Sequence, residues 1–151
     1  MENFNLIQHA SGAPGLRIFG LGPNYMPQNG IKKLQTLFDE NTSWAKKRNK
    51  NDIKKMLSRS DVVVSVWKDT TLIGFGRATT DKVYRAVLWD IVVDKKHQKF
   101  GIGKNIVKSL LTNQLILKVE KVYLMTTNFA EFYSKMGFKF EKNQNLMFLE
   151  K

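Results

Sequence analysis

Cysteine is absent from the 151-residue chain, which excludes disulfides, thiolate zinc sites and cysteine nucleophiles together. That absence fits a reducing compartment. No stretch approaches the ~20 consecutive apolar residues of a membrane-spanning helix, so no membrane partner is expected. The opening MENFNLIQHASG lacks a basic segment followed by an apolar core, so no secretory leader is expected. Internal repeats, low-complexity tracts and long linkers are missing as well. Acidic residues are scarce: 13 Asp and Glu stand against 25 Lys and Arg, for a net charge of +12. Such an excess attracts anions and raises their encounter rate. Nucleic acid and a polyphosphate ligand both qualify. Lysine outweighs arginine, however, and no basic motif is interleaved with aromatics. Nucleic acid is therefore not the expected partner, and most lysines read as a solvated face.

What is present reads as one domain over residues 1–151. A chain of this length buries roughly 68–70% of its unfolded surface, enough for a core without staples. Residues 1 to 13 carry little pattern and are expected to be a poorly ordered start. Leu16, Ile18 and Phe19 suggest a first strand, and Pro23, Pro27, Asn29 and Gly30 a loop. From Gln28 to Glu40, Ile31, Leu34, Leu37 and Phe38 recur at helical spacing. Asn51 or Asp52 is placed to cap a short second helix with Ile53, Met56 and Leu57. Val62 to Trp67 and Leu72 to Ala78 form a hairpin around Lys68-Asp69-Thr70-Thr71, with Gly74 and Gly76 marking a bulge or a close backbone approach. Val122, Leu124 and Thr126 begin a later strand. Ala130 to Met136 make a short helix stopped by Gly137. Phe138 to Phe140 and Leu146 to Leu149 read as two final strands, apolar enough to support a homodimer. The order is that of an α/β domain with a mixed sheet.

The stretch from Ala86 to Leu117 carries the chemistry. Ala86 to Val93 is apolar except for Asp90 and suits a buried strand. Gln98, Gly101 and Gly103 follow among Lys95, Lys96, Lys99 and Lys104, and then Ile102, Ile106, Val107, Leu110, Leu111 and Leu115 recur at helical spacing. A glycine loop that opens a helix after a strand holds phosphate. The first helical N–H groups lack intrahelical partners, the macrodipole adds positive potential, and glycine lets the backbone approach an anion. Two known phosphate grips do not fit. Gly103-Lys104 is followed by Asn105 with no glycine at position 98, against the Walker pattern, and Ile106 occupies the third glycine of the dinucleotide fingerprint.

Gln98-Lys99-Phe100-Gly101-Ile102-Gly103 resembles instead the [QR]-x-x-G-x-[GA] signature of the GNAT acetyltransferase superfamily. Phe132-Tyr133-Ser134-Lys135-Met136-Gly137-Phe138 resembles its C-terminal F/L-Y-x-x-x-G-F segment. The resemblance covers about residues 60 to 150, and the W-D-x-V-V-D run looks closest to the cyanobacterial and plastid branch that includes plant chloroplast serotonin N-acetyltransferases. It implies an α/β (α+β) fold with a mixed sheet of about six to seven strands and about four helices. It implies acetyl-CoA as co-substrate, no metal, and a home in cyanobacterial-type cytoplasm or plastid stroma. The activity implied is acetyl transfer to a primary amine, either an arylalkylamine such as serotonin or a protein lysine or N-terminal amine.

Residue by residue, the resemblance implies that Val92 and Val93 offer backbone groups to the pantetheine arm and one N–H to the thioester oxygen. Gln98, Lys99, Phe100, Gly101, Ile102, Gly103 and Lys104 would bind pyrophosphate. Tyr133 would stand near the sulfur and protonate the leaving thiolate. Without the resemblance, Tyr133 beside Phe132 reads as core filler. Alternation puts Asp90 on one face with Ala86, Leu88 and Val92, where a carboxylate must be paired; it orients the neighbouring chain or acts as a base through water. His97 reads as a surface neighbour of the loop. Lys99 stands where many relatives have glycine. Thr126 stands where many have Asn and some plastid-type relatives Asp; threonine is no base at neutral pH, which leaves Asp90, water or nothing. Trp44, Trp89 and Phe129 are candidates for an aromatic acceptor pocket. The alternatives are a non-catalytic acetyl-CoA-binding regulator and a basic nucleic-acid or ribosome-binding module on the same fold.

Overall fold

The computed structural model describes residues 3–9 and 29–151. The suggested strand at Leu16 to Phe19 and the loop prolines lie outside the described residues.

Five strands form one sheet in sequence order: β1 (Asn5–His9), β2 (Val62–Lys68), β3 (Thr71–Thr80), β4 (Arg85–Val93) and β5 (Lys121–Leu124). The first four pair antiparallel, and β4 and β5 pair parallel. The sheet is mixed, as expected, and among the described residues it has five strands where six to seven were expected. The opening residues are not patternless. Asn5–His9 pairs along β2, with Ile7 packed on the core and Gln8 Nε2 donating to the Ser109 carbonyl at 2.9 Å. The segments expected as two final strands, Phe138 to Phe140 and Leu146 to Leu149, form no strand and have no strand partner among the described residues. An apolar run makes a strand only where an edge accepts its backbone groups.

Among the described residues four α-helices flank the sheet. On one face lie α1 (Gly30–Asn41) and α2 (Lys50–Ser58), started by Asn49, whose side chain accepts the Asp52 N–H. Ile31, Leu34, Leu37, Phe38, Ile53 and Leu57 pack there on Val63, Phe75 and Val92. On the other face α3 (Ile102–Thr112) buries Ile102, Ile106, Val107 and Leu110 against Val62, Val64, Ile73, Ala86 and Leu88. The helix ends sooner than its apolar spacing predicts, because Asn113 leaves helical geometry at ψ 140°. The short α4 (Ala130–Ser134) adds Tyr133 to the same core.

Gly76 explains how closely α3 approaches. A Cβ there would stand 2.6 Å from Ile106 Cγ2, so only glycine lets the helix lie on β3 at this distance.

A site where a strand edge, a glycine loop and a tyrosine meet

The chain leaves β4 through a 3₁₀ turn, Lys95–His97, capped by Asp94, which accepts from the Lys96 N–H. His97 Nδ1 lies 3.1 Å from Asp94 Oδ2, and the Phe4 ring packs edge-on against both His97 and Phe100. Gln98 Nε2 donates to the Val93 carbonyl at 3.2 Å, tying the loop to the strand end. Lys99 and Gly101 take left-handed backbone with φ of 72° and 80°. Lys99 thus adopts a conformation that favours glycine, the residue many family loops carry there. The first helical bond of α3 runs from Asn105 N–H to the Gly101 carbonyl at 3.0 Å. The first-turn N–H groups before Asn105 therefore have no intrahelical acceptor, at the end of a loop rich in lysine.

Three elements converge at Gly103. A Cβ built there would find Phe132 Cζ at 3.5 Å and Val93 Cγ2 at 3.7 Å. The loop, the end of β4 and α4 thus share one corner. The Tyr133 ring packs against Phe132 (centroids 4.9 Å apart) and Phe138 (5.8 Å). Its backbone is fixed by the turn at Gly137 (φ 96°), where Phe138 N–H donates to the Tyr133 carbonyl and Gly137 N–H to that of Ser134. Burial pushes the Tyr133 hydroxyl up to about 12, so the phenol stays protonated through the neutral range.

Beside Tyr133 opens a cavity of about 530 Å³, walled by Val87 and Trp89 of β4, Val122 to Thr126, and the tail from Phe138 to Leu146. It exists because β4 and β5 pair only from Arg85↔Lys121 to Leu88↔Leu124. Beyond Leu88 the outer edge of β4 is open.

That edge carries a bulge. Asp90 has φ 53°, and the β3–β4 register shifts between Phe75 and Arg77. The extra residue reverses the alternation. Ala86 and Leu88 join the α3 core, whereas Val92 joins the α1–α2 core and Ile91 and Val93 turn to the α3 side. The expectation that Asp90 shares a face with Ala86 and Leu88 is therefore corrected: it lies on the α1–α2 side with Val92. Its carboxylate, almost wholly buried, receives Arg77 Nε at 2.7 Å and Arg48 Nη1 at 3.1 Å. Arg77 lies over the Trp89 ring, and Arg48 over Phe38 and Trp44. The pairing requirement read from the sequence is met by two arginines that sequence reasoning did not single out. Arg77, a cation inside the strand TLIGFGRATT, was the available signal.

Of the three aromatics considered for an acceptor pocket, only Trp89 lines the cavity; Trp44 sits across the sheet with Arg48, and Phe129 is largely exposed. Thr126 lines it but is used structurally, its hydroxyl accepting the Phe129 N–H at 3.1 Å. The carboxylate on the cavity wall is Glu141, a residue with no local sequence signal.

The site thus combines a helix N-terminus with a basic glycine loop, a bulged strand left open beyond Leu88, and a buried, protonated tyrosine. The "Acetyltransferase (GNAT) domain" family model matches residues 59–140, and the chain belongs to that family. An uncharacterised N-acetyltransferase, ycf52, of Porphyra purpurea is 34% identical over 118 residues, covering 72% of this chain and 64% of that protein. The chloroplastic GCN5-related N-acetyltransferase 2 of Arabidopsis thaliana is 33% identical over 73 residues, 48% of this chain and 28% of that protein. The match thus spans less than two thirds of the length of these relatives. Among solved structures, a probable acetyltransferase from meticillin-resistant Staphylococcus aureus superposes with a TM-score of 0.74 at 18% identity, over 99% of this chain and 100% of that one. That likeness is one of fold.

Proposed function

We propose that this chain is an acetyl-CoA-dependent N-acetyltransferase whose acceptor is a primary amine. The observation that carries the reading is the corner at Gly103, where phosphate loop, open β4 edge and α4 meet within side-chain contact. Acetyl-CoA would supply the activated acetyl thioester. Val92 and Val93 would pair with its extended arm as an added strand does, and one N–H of the bulged edge would hold the developing oxyanion. The first-turn amides of α3, with Lys99 and Lys104, would neutralise the pyrophosphate.

The amine nitrogen bonds to the carbonyl carbon and the C–S bond breaks. Tyr133 gives its proton to the departing sulfur, and the excess proton on nitrogen passes to water. No protein nucleophile takes part, which suits a chain without cysteine. Asp90, held by Arg77 and Arg48, serves as a positioning carboxylate for the bulge rather than as the base.

The cavity favours an arylalkylamine such as serotonin. Its size falls in the usual small-ligand range of roughly 300–1,000 Å³, Trp89, Tyr123, Phe138 and Phe140 wall it, and Glu141 offers the charge an ammonium needs. Because the cavity is open to one side, a protein lysine or N-terminal amine is the other acceptor class. The kinship with plastid-type relatives supports plastid stroma or cyanobacterial cytoplasm as the setting of the proposed reaction. A second reading, a cofactor-binding regulator, rests on Thr126, whose hydroxyl is committed to the turn before α4.

Titration calorimetry with acetyl-CoA, followed by free-thiol release with serotonin and a lysine peptide, tests the proposal. Cofactor binding with thiol release on one amine is expected. Binding with no turnover on any amine supports the regulator, and no binding overturns both readings.

A further inference from the structure

We propose that Phe4, which belongs to neither motif, is a positioning residue that holds the glycine loop in shape for the polyphosphate end of the acyl carrier. The inference rests on the acetyl-CoA reading and adds to it a residue from far back in the chain.

The loop carries a conformational burden. Lys99 and Gly101 take left-handed backbone at φ 72° and 80°, a region that a side chain disfavours at Lys99. Such a residue persists where its surroundings hold it. Toward β4 the holds are Asp94, which accepts from the Lys96 N–H at 3.1 Å and lies 3.1 Å from His97 Nδ1, and Gln98, whose Nε2 donates to the Val93 carbonyl. These three bonds all fall before Lys99. Just beyond it, Phe100 is 58% exposed and is not part of the α3 core. Its ring meets the Phe4 ring edge-on, with centroids 6.3 Å apart, and the same Phe4 ring meets His97 at 6.1 Å. Phe4 thus touches the loop on both sides of the strained residue.

Phe4 is itself anchored. It packs, partly buried, on the α3 core, and the next residue, Asn5, opens β1 opposite Trp67. Further along, Gln8 Nε2 donates to the Ser109 carbonyl of α3 at 2.9 Å. The segment therefore spans from the loop to the far half of the helix that the loop opens. Rings that meet edge-on contribute beyond the area they cover. By fixing His97 and Phe100, Phe4 sets the course of the backbone into Gly101 and so the aim of the free amides that follow, before the first helical bond at Asn105. Tyr133 and the Asp90 bulge stand on other elements. The effect belongs to cofactor binding and not to the chemical step.

Phe4→Ala is expected to weaken acetyl-CoA binding roughly 3- to 10-fold by titration calorimetry, the worth of one or two ring contacts, with kcat unchanged. Acetyl-pantetheine, which lacks the pyrophosphate, should bind the native chain and the variant alike. Phe4→Tyr, which keeps the ring, should keep the affinity for acetyl-CoA. Phe4→Ala combined with Phe100→Ala should bind no more weakly than the worse single variant, because the two rings form one contact. A second measurement needs no ligand. Amide hydrogens of residues 98–104 should exchange faster in Phe4→Ala, while those of β2 and β3 keep their rates. Unchanged exchange in the loop overturns the inference, as does equal weakening of acetyl-CoA and acetyl-pantetheine or a simple sum of the two single losses. Failure of the native chain to bind acetyl-CoA sinks the acetyl-transfer reading instead, and the loop exchange still decides whether Phe4 holds the loop.

Discussion

Arg77 Nε lies 2.7 Å from Asp90 Oδ2 across the β3–β4 pair, and the carboxylate it holds belongs to the residue that forms the bulge. Arg48, reaching from the residue before the Asn49 cap of α2, takes the other oxygen. Strand and helix layer are thereby joined at the point where the β4 backbone bulges. Asp90→Asn keeps the shape and the left-handed backbone but leaves two guanidinium groups facing a neutral amide. The expected cost is about 3–5 kcal/mol of stability, with a fall in kcat larger than the change in KM for acetyl-CoA. The pH–rate profile should keep its shape, because Asp90 positions the bulge. Loss of the acidic limb in that profile would make Asp90 the base.

Tyr133→Phe removes only the hydroxyl and should leave folding and acetyl-CoA affinity nearly unchanged. Turnover should drop by about 10²–10⁴-fold, the usual share of a positioned acid. With the hydroxyl pushed up to about 12 by burial, no alkaline loss from its ionisation is expected in the native enzyme below about pH 11. Full turnover by the variant across pH would remove Tyr133 from the mechanism.

His9, buried beside Ser65 with Nε2 2.7 Å from the hydroxyl, is lowered by desolvation from 6.5 to about 4. The folded state therefore holds it neutral where the unfolded chain already binds a proton. Stability contributed by the neutral ring is complete above pH 6.5 and is lost as pH falls from 6.5 to about 4. At about 1.4 kcal/mol per pH unit the loss approaches 3 kcal/mol. Urea unfolding at a series of pH values should show this slope, and His9→Asn should flatten it.

Gly76→Ala places a methyl 2.6 Å from Ile106 Cγ2. Overpacking at such a contact costs about 1–3 kcal/mol, read as a lower denaturation midpoint. Ile106→Ala removes the obstructing atom, so the double variant should be less destabilised than the two single losses summed. Simple additivity would show that α3 moves away instead.

Sequence patterns located the centre of the molecule because its elements are local and strongly periodic. The hairpin of β2 and β3, the helix after the glycine loop and the stop at Gly137 each carry their own signal. β1 was missed because Asn5 to His9 has little apolar content of its own and owes its strand geometry to a partner more than fifty residues away. Asp90 was placed on the wrong face because period-two reasoning assumes an unbroken pleat, and one residue in left-handed geometry reverses everything after it. The tail was read as strand from its apolar run alone; that composition states what the segment can pair with, whereas pairing requires an edge. Glu141 reaches the cavity through the path of that tail, which no local pattern records.

The parallel pairing of β4 and β5 is confined to Arg85↔Lys121 through Leu88↔Leu124, whereas β4 stays paired to β3 through its last residue, Val93. The molecule is thus mechanically uneven. β5 and α4, which carry Tyr133, are attached by the shorter seam, while the glycine loop is rooted in the longer one. Amide hydrogens along Lys121 to Leu124 should exchange through small openings that leave β2 and β3 closed. A ligand bridging the glycine loop and the tyrosine would stitch this seam, so its binding energy would appear as slowed exchange at β5 before any change at β2.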